Sequence, residues 1–294
     1  MSVQFRTYRN ETRFGADYHK LRSFLVELDD CNYSFGRWDW MITHTYLQEE
    51  RLSEIGIWED GGRIVALAAF DTVMDGKCFF PYREHYGCLF GDMIAYAKDK
   101  LTKDGKARML IRDSDEAFQA AASAMGLLPT QEKDCDAVFP IGQEIRYSLP
   151  DGFSVTDMGE NPDFYRYGEA LWKGFNHELD GEGSFSPGPG DLLAIKNGFE
   201  RPNINPRLKI AVVAPNGDFV SYCGMWQDSA CQSAIAEPVA TDPAYRRLGL
   251  GRAAVLEGIR RCGELGAKRA FVGSSQQFYY QIGFRPCATS TFWG

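Results

Sequence analysis

The sequence contains few histidines, no paired cysteine motif and no long apolar run. Its eight cysteines include no C-x-x-C pair, and its four histidines are dispersed along the chain. A zinc site needs clustered ligands, so no metal site is expected. No run of about 18 apolar residues occurs, so no membrane span is expected.

A secretory signal and an excess of basic charge are also missing. The first residues, MSVQFRTYRNETRFG, contain no apolar segment of the secretory type, which predicts a cytoplasmic protein with reduced thiols. The chain has 32 Lys and Arg against 40 Asp and Glu, a net charge of −8. This acidic balance argues against nucleic acid as a partner but allows one small anionic ligand at a locally basic position.

The length of 294 residues, with 44% hydrophobic residues, is typical of two domains. One order of elements occurs twice: a hairpin, a strand, a helix, a strand, a helix and a last strand. The hairpin turns are Gly61-Gly62 and Asn216-Gly217. We therefore predict two domains of the α/β (α+β) class, at residues 1–146 and 147–294.

In the second domain the hydrophobic pattern predicts a strand over SAIAEPVATD and a helix from about Gly249 to Leu265. AKRAFVG is predicted as a strand, QQFYYQI as a short helix and FRPCATSTFW as the last strand. The Gly- and Pro-rich residues around Ser184–Asp191 predict a mobile surface loop.

The stretch YRRLGLGRAA, Tyr245–Ala254, is the main functional signal. From Ala244 to Arg261, five arginines accompany a single acid, Glu257. Glycines let backbone N–H groups approach an anion, and a helix N-terminus adds free donors. These features predict a pyrophosphate site, and the alternative is a tight turn with solvated arginines.

Two other nucleotide motifs fit this stretch less well. A P-loop would need GxxxxGK followed by Ser or Thr, which is absent. The dinucleotide pattern GxGxxA is matched by Gly249, Gly251 and Ala254. However, DPAYRR separates it from the preceding strand, and the ribose-binding acid expected about 20 residues later is missing. A nucleotide-dependent oxidoreductase stays a rival interpretation.

Two segments resemble signatures of the GNAT superfamily of N-acetyltransferases. Arg246-x-x-Gly249-x-Gly251 resembles its R/Q-x-x-G-x-G/A motif, and Phe278–Phe284 resembles its second signature, a Tyr four residues before Gly-Phe. The resemblance implies two tandem domains, each a mixed, mostly antiparallel sheet flanked by helices. It further implies acetyl-CoA as co-substrate, held between two separating strands, and transfer of its acetyl group to an amine.

The resemblance also implies roles for single residues. Tyr279 would be the general acid, although a core or surface aromatic is the alternative. The residues implied in coenzyme binding are Val239, Ala240, Thr241, Arg246, Arg247, Leu248, Gly249, Leu250, Gly251 and Arg252.

A general base and a substrate wall are proposed from the residues themselves. Glu237 lies two residues before Val239 and shares its strand face, unless Pro238 interrupts the alternation. A carboxylate in a partly dry pocket can accept a proton from an amine. A solvated glutamate or a water chain acting as base is the alternative. The candidate wall residues are Trp172, Phe175, His177 and Glu178, in acidic surroundings that suit a small cationic amine.

The first domain lacks both signatures. Its corresponding loop reads YREHYGCLFGDM, and Ala122 stands four residues before Gly126-Leu127. We therefore expect a degenerate domain that binds no coenzyme. Trp38 and Trp40 share one side of a strand, or pack at a domain interface if that segment is helical. A non-catalytic acyl-CoA sensor and a protein-lysine acetyltransferase stay alternative functions, and the oligomeric state is left open.

Overall fold

The structure is a computed structural model that describes residues 2–142 and 144–294. The chain forms two compact units. The first comprises Met1–Val138, Gly273–Tyr280 and Arg285–Gly294, and the second comprises Phe139–Val272 and Gln281–Phe284. The sequence-based division after residue 146 falls within the second unit, close to its start. The final strand, which that division gave to the second domain, lies in the first unit.

The strands alternate with helices along both halves of the chain. They are β1 (Val3–Thr7), β2 (Gly56–Asp60), β3 (Arg63–Ala68), β4 (Lys77–Cys78), β5 (Arg108–Arg112), β6 (Pro129–Pro140), β7 (Ser154–Asp157), β8 (Lys209–Val213), β9 (Phe219–Gln227), β10 (Ser233–Thr241), β11 (Arg269–Val272) and β12 (Arg285–Trp293).

The chain contains α-helices in both halves, and the helix that follows β10 is longer than any helix of the first half. They are α1 (Ala16–Leu28), α2 (Phe35–Thr43), α3 (Phe90–Lys100), α4 (Glu116–Ala124), α5 (Phe164–Gly174), α6 (Pro189–Phe199), α7 (Leu250–Glu264) and α8 (Gln277–Ile282).

In the first unit, β1, β2 and β3 form an antiparallel sheet. The predicted hairpin is confirmed, because Gly61 and Gly62 both adopt the positive φ of 56° and 79° that a tight hairpin turn requires. A further set of strands pairs in the order β4, β5, β12 and β6, with β4 parallel to β5 and the other pairs antiparallel.

Trp38 and Trp40 lie on α2, so the helical alternative for this segment is correct. Ser34 caps the helix by accepting a hydrogen bond from the Arg37 backbone N–H. Trp38 is fully buried and packs against the ring of Tyr18. Trp40 lies under the Arg37 guanidinium at 4.6 Å. Both tryptophans therefore contribute to packing within the first unit.

In the second unit the strands follow the order β11, β10, β9, β8 and β7. All neighbours are antiparallel except β10 and β11, which run parallel. The predicted strands over this half and the long helix α7 are confirmed. The apolar face of α7, which includes Val255, Ile259 and Cys262, is buried. The sheet therefore has one face covered by α7, as its hydrophobic spacing predicted.

Helix α6 lies partly where the sequence predicted a loop. The irregular residues end at Gly188, and Pro189 starts the helix. Asp191 accepts a hydrogen bond from the Gly188 backbone N–H at 2.9 Å. Proline fits the first helical position because its fixed φ suits the helix and its missing N–H costs no bond there.

No helix in the described ranges combines the length and the apolar character that a membrane crossing requires. Among the same residues, no group of three His, Cys, Asp or Glu side chains is arranged to hold a metal ion.

Candidate functional site

The second unit contains a gap between two parallel strands. β10 pairs with β11 only from Ser233 to Ile235, opposite Arg269 to Phe271. Beyond Ile235, β10 continues to Thr241 with β9 as its antiparallel partner. The second half of β10 therefore offers a strand edge that β11 does not cover.

A β-bulge interrupts β10 at the start of this edge. Ala236 pairs with Met225 and Val239 with Cys223, so Glu237 and Pro238 together face Gly224. The approach is close, because a Cβ on Gly224 would lie 2.6 Å from the Glu237 carbonyl oxygen. Pro238 thus lies where the alternation of side chains is broken. The prediction that Glu237 and Val239 share a strand face required an unbroken alternation. Glu237 is half-buried, and its role as base stays a prediction.

Arg246 joins the end of β10 to the end of α5. Its guanidinium donates to the carbonyl oxygens of Thr241 at 3.1 Å and Gly174 at 3.0 Å, and to Oδ1 of Asn176 at 2.6 Å. Gly174 permits this arrangement, because a Cβ there would lie 2.6 Å from the Cβ of Ala240. The sequence assigned Arg246 to coenzyme binding. That role stays a prediction, and in the structure Arg246 fixes the loop that follows β10.

The loop then turns sharply into α7. Arg247 and Gly249 have left-handed φ values of 70° and 81°. No side chain in the described part of the chain caps α7. The first N–H groups of the helix, from Leu250 onward, have no partner within the helix. A Cβ added to Gly249 would meet no atom within 4 Å, which shows open space beside the backbone. The loop therefore presents free donors at the positive end of a helix dipole.

Two arginines stay available at this loop. Arg247 and Arg252 are exposed, and neither guanidinium pairs with a carboxylate in the part of the chain that the structure describes. Leu248 between them is 46% exposed. An anion at the N-terminus of α7 would therefore meet two unpaired positive charges.

The other two arginines of this stretch lie elsewhere on α7, which corrects the sequence-based charge count. Arg260 and Arg261 are about nine residues further along the helix than Gly251, or about 13 Å. Arg260 binds Glu257 at 2.7 Å and Glu264 at 2.5 Å. Arg261 binds Glu257 at 2.7 Å and also pairs with a carboxylate on β7. Sequence spacing could not show that these charges are neutralised.

Glu257 is the centre of that network. Burial favours its neutral form, but hydrogen bonds from Arg260, Arg261 and Tyr147 lower the pKa of Glu257 to about 2. Its side chain is 7% exposed, so the carboxylate is held charged in the protein interior by its donors. This network positions α7 against the rest of the unit and is separate from the loop.

Two of the four proposed substrate-wall residues lie in direct contact. The rings of Trp172 and His177 stack with centroids 4.2 Å apart. Trp172 Nε1 donates to the Gly183 carbonyl oxygen at 2.9 Å, and His177 Nδ1 lies 2.8 Å from Glu182 Oε1. Phe185 adds an aromatic contact to Trp172. The sequence did not single out Glu182 or Phe185, which hold this aromatic pair in place.

Phe175 and Glu178 lie in the same turn after α5. Phe175 is 49% exposed. The charge of Glu178 adds to that of Glu169 in raising the pKa of Lys173, against the effect of burial. A substrate-binding role for Trp172, Phe175, His177 and Glu178 stays a prediction.

Tyr279 lies on α8 and belongs to the first compact unit. Its side chain is 7% exposed, and its ring contacts that of Phe278 at 4.9 Å. This burial agrees with the alternative that Tyr279 is a core aromatic. The role of general acid stays a prediction.

The family comparison concerns the C-terminal part of the chain. Residues 175–284 match the model of the acetyltransferase (GNAT) family, a range that includes the whole loop between β10 and α7. A search of curated proteins gave no significant match.

Solved structures resemble nearly the whole chain. A GCN5-related N-acetyltransferase from Sphaerobacter thermophilus has 13% identity and a TM-score of 0.56, with 99% of this chain and 94% of that chain covered. A tandem GNAT protein from the clavulanic acid biosynthesis pathway has 12% identity and a TM-score of 0.58, with 99% and 98% covered. A GNAT-family acetyltransferase from Colwellia psychrerythraea has 9% identity and a TM-score of 0.57, with 99% of each chain covered.

Together these findings confirm the predicted resemblance and fold class. Residues 175–284 match the GNAT family model, and the chain has a fold similar to that of solved GNAT acetyltransferases, including a tandem one. The family match and the fold support N-acetyltransferase activity, with acyl-CoA as the family's acyl donor.

Proposed function

We propose that the protein is an acetyl-CoA-dependent N-acetyltransferase that acetylates the amine of a small cationic metabolite. The observation that carries this proposal is the turn from β10 into α7. Arg247 and Gly249 take left-handed conformations there, and no side chain caps the helix. The turn follows a strand edge that has separated from its parallel neighbour.

The residues of this turn suit the anionic part of acetyl-CoA. The N–H groups at the start of α7, with Arg247 and Arg252, would hold the pyrophosphate, and the open space beside Gly249 leaves room for it. The backbone of Val239, Ala240 and Thr241 would pair with the pantetheine arm. When bound, acetyl-CoA supplies the thioester whose acetyl group is transferred.

The acceptor amine must lose a proton before it can attack. An amine with a pKa near 10 is only about one-thousandth deprotonated at pH 7. Glu237, half-buried beside the bulge, is the proposed base. Tyr279 is the proposed acid, because a phenol with a pKa of about 10 can donate a proton to a departing thiolate. A backbone N–H of β10 would stabilise negative charge on the carbonyl oxygen.

The charge and shape near α5 support a cationic acceptor. Glu182 pairs with His177, whose ring stacks on Trp172, and Glu178 is the next residue in the chain. An aromatic face next to carboxylates attracts an ammonium group through both its quadrupole and their charge. The net charge of −8 favours the approach of such an acceptor from solution.

The test uses a pair of glycines in matched conformations. Gly249 and Gly126 have φ values of 81° and 78°, and an added Cβ meets no atom within 4 Å at either position. Gly249→Asp and Gly126→Asp therefore impose the same backbone strain. Only the first places a carboxylate in the proposed pyrophosphate site.

Calorimetric titration with acetyl-CoA should show one site per chain for the wild type and for Gly126→Asp, and none for Gly249→Asp. Absence of binding to the folded wild type would overturn the proposal. A panel of small primary amines should then release coenzyme A thiol from acetyl-CoA. Tight acetyl-CoA binding without release by any amine would instead indicate a sensor.

A further inference from the structure

The first unit contains a second pair of parallel strands that separate. β4 pairs with β5 only at Lys77 with Arg108 and at Cys78 with Met109. The chain beyond Cys78 turns toward β3, where Phe79 pairs with Ala69. A gap therefore opens between the continuation of β4 and the end of β5.

A cavity of about 360 Å³ lies in this gap. The segment after β4, the end of β5, the start of α4 and the turn after α1 all contribute to its wall. Its lining is mixed. Phe80, Pro81, Leu110 and Phe118 give apolar surface, and charged side chains lie among them. Such a combination suits a small organic molecule with an apolar body and a polar group.

The charges that line this cavity are mostly negative. Asp30, Glu84 and Asp115 contribute carboxylates, and Arg112 contributes the opposing cation. Arg112 pairs with Asp30, so these two charges offset each other. Asp115 and Glu84 then leave an excess of negative charge.

Within residues 2–142 and 144–294, no cationic side chain forms an ion pair with either remaining carboxylate. Asp115 accepts hydrogen bonds from the Tyr82 hydroxyl and, at 3.0 Å, from the Phe118 backbone N–H. Both donors are neutral, and a carboxylate has further lone pairs to offer. Glu84 is exposed and pairs with no side chain in the described part of the chain.

The cavity does not offer an anion the donors that the second unit has. The N-terminus of α4 is capped by Asp115, whose carboxylate accepts the Phe118 N–H and places a negative charge at this helix end. Arg83, on the loop that follows β4, donates to Glu27 at 2.5 Å and to the Ile64 carbonyl oxygen at 3.1 Å. Leu89, just before α3, is in the right-handed helical conformation, whereas Gly249, just before α7, is left-handed; His85, earlier in this loop, has a left-handed φ of 73°.

We propose that the cavity between β4 and β5 binds a small organic cation, an ammonium group attached to an apolar body. The apolar body packs against Phe80, Leu110 and Phe118. The ammonium group lies near Asp115 and Glu84. This site is separate from the proposed acetyl-CoA site and does not depend on acetyl transfer.

The experiment is calorimetry of the full chain without acetyl-CoA, with benzylammonium as probe. Benzyl alcohol and benzoate serve as the neutral and anionic analogues. Ser114 lines the cavity and is exposed, so Ser114→Trp places a bulky side chain against the cavity from a surface position. Ser123→Trp, at an exposed position of α4 outside the cavity, is the matched control.

The wild type and Ser123→Trp should bind benzylammonium at least about tenfold more tightly than benzyl alcohol. Ser114→Trp should lose that binding site. Glu84→Gln, which keeps the shape of the side chain, should weaken benzylammonium binding and leave benzyl alcohol binding unchanged. This second variant tests the site even if Ser114→Trp fails to fold.

Three results would overturn the proposal. The wild type could fail to bind benzylammonium, Ser114→Trp could bind it as tightly as the wild type, or the wild type could bind the three probes with equal affinity. Each is independent of the acetyltransferase proposal, whose test is acetyl-CoA binding at Gly249. Failure of one proposal therefore leaves the other standing.

Discussion

The two pairs of parallel strands, β4 with β5 and β10 with β11, separate in the same way, yet the loops that follow them differ. After β10, Arg247 and Gly249 turn the chain into an uncapped helix with free donors. After β4, Arg83 is bound to Glu27, and a 3-10 turn at Gly87–Leu89 leads into α3, which has no side-chain cap among the described residues. Helix α4, which borders the cavity, is capped by Asp115. The strand arrangement provides a gap in both units, and the loop residues decide which charge that gap accepts.

The two units also differ in how they treat a buried carboxyl group. In the second unit the donors around Glu257 stabilise a buried carboxylate as an anion. In the first unit, burial and the charge of Asp134 raise the pKa of Asp136 to about 7. The pKa values of these two carboxyl groups are therefore shifted in opposite directions. Glu257 has guanidinium donors in contact, whereas Asp136 lies in a group of acids and thiols.

The largest expected effect concerns the proposed acid. Tyr279→Phe removes the hydroxyl and keeps the ring that packs against Phe278. We expect kcat to fall by about a hundredfold or more, because general acid catalysis contributes on this scale. Acetyl-CoA affinity should change little. Steady-state kinetics and calorimetry measure the two quantities, and Tyr280→Phe is the neighbouring control. Unchanged kcat would assign Tyr279 to packing alone.

The next effect compares arginines of the two loops. Arg247→Glu combined with Arg252→Glu should weaken acetyl-CoA binding by about a hundredfold, since each removes a charge-assisted contact and adds repulsion. Arg83→Glu should instead lower the melting temperature, because it destroys the pair with Glu27, and should leave acetyl-CoA affinity unchanged. Arg285→Glu controls for net charge, because Arg285 is exposed and pairs with no carboxylate within residues 2–142 and 144–294. If Arg83→Glu weakens acetyl-CoA binding as much, the proposed contrast between the loops is wrong.

Glu257→Gln should destabilise the protein by about 2 kcal/mol, because it leaves two guanidinium groups without their common carboxylate. Urea denaturation measures this loss. Glu264→Gln is the matched control, since Glu264 is 64% exposed and, among the described residues, forms an ion pair only with Arg260. Its effect should be below about 1 kcal/mol. Equal effects for the two variants would show that the network around Glu257 has no special weight.

The smallest effect is a pH dependence. The ordinary pKa of 3.8 for Asp136 is raised to about 7, so the folded protein keeps a proton that the unfolded chain has lost between these values. The contribution of Asp136 to the free energy of unfolding is therefore complete below about pH 4 and is lost as the pH rises to about 7.

Asp136→Asn should remove this part of the pH dependence of the melting temperature, and Asp151→Asn, at an exposed position, should not. A wild-type profile that matches that of Asp136→Asn between about pH 4 and pH 7 would contradict the raised pKa.

Local patterns predicted most of the elements in the second half of the chain. The turn residues Gly61-Gly62 and Asn216-Gly217 and the apolar spacing along α7 depend on neighbours in sequence, so the chain itself carries them. Helix α6 was missed because glycine and proline are as typical of a loop as of a helix start. The clustering of β12 with the first unit depends on its pairing with β5 and β6, which joins residues far apart in sequence and is not visible in local patterns.

The sequence alone determined the loop after β10. Its glycines and arginines limit the backbone and set the charge over a few residues, and the family match includes them. Only the tertiary structure decided which of those arginines are available. Arg260 and Arg261 are neutralised by acids that the fold brings to them, and Arg246 is engaged with the end of α5. The sequence did not predict the cavity between β4 and β5 either. Charge compensation and enclosed space arise from contacts between residues that are distant in sequence.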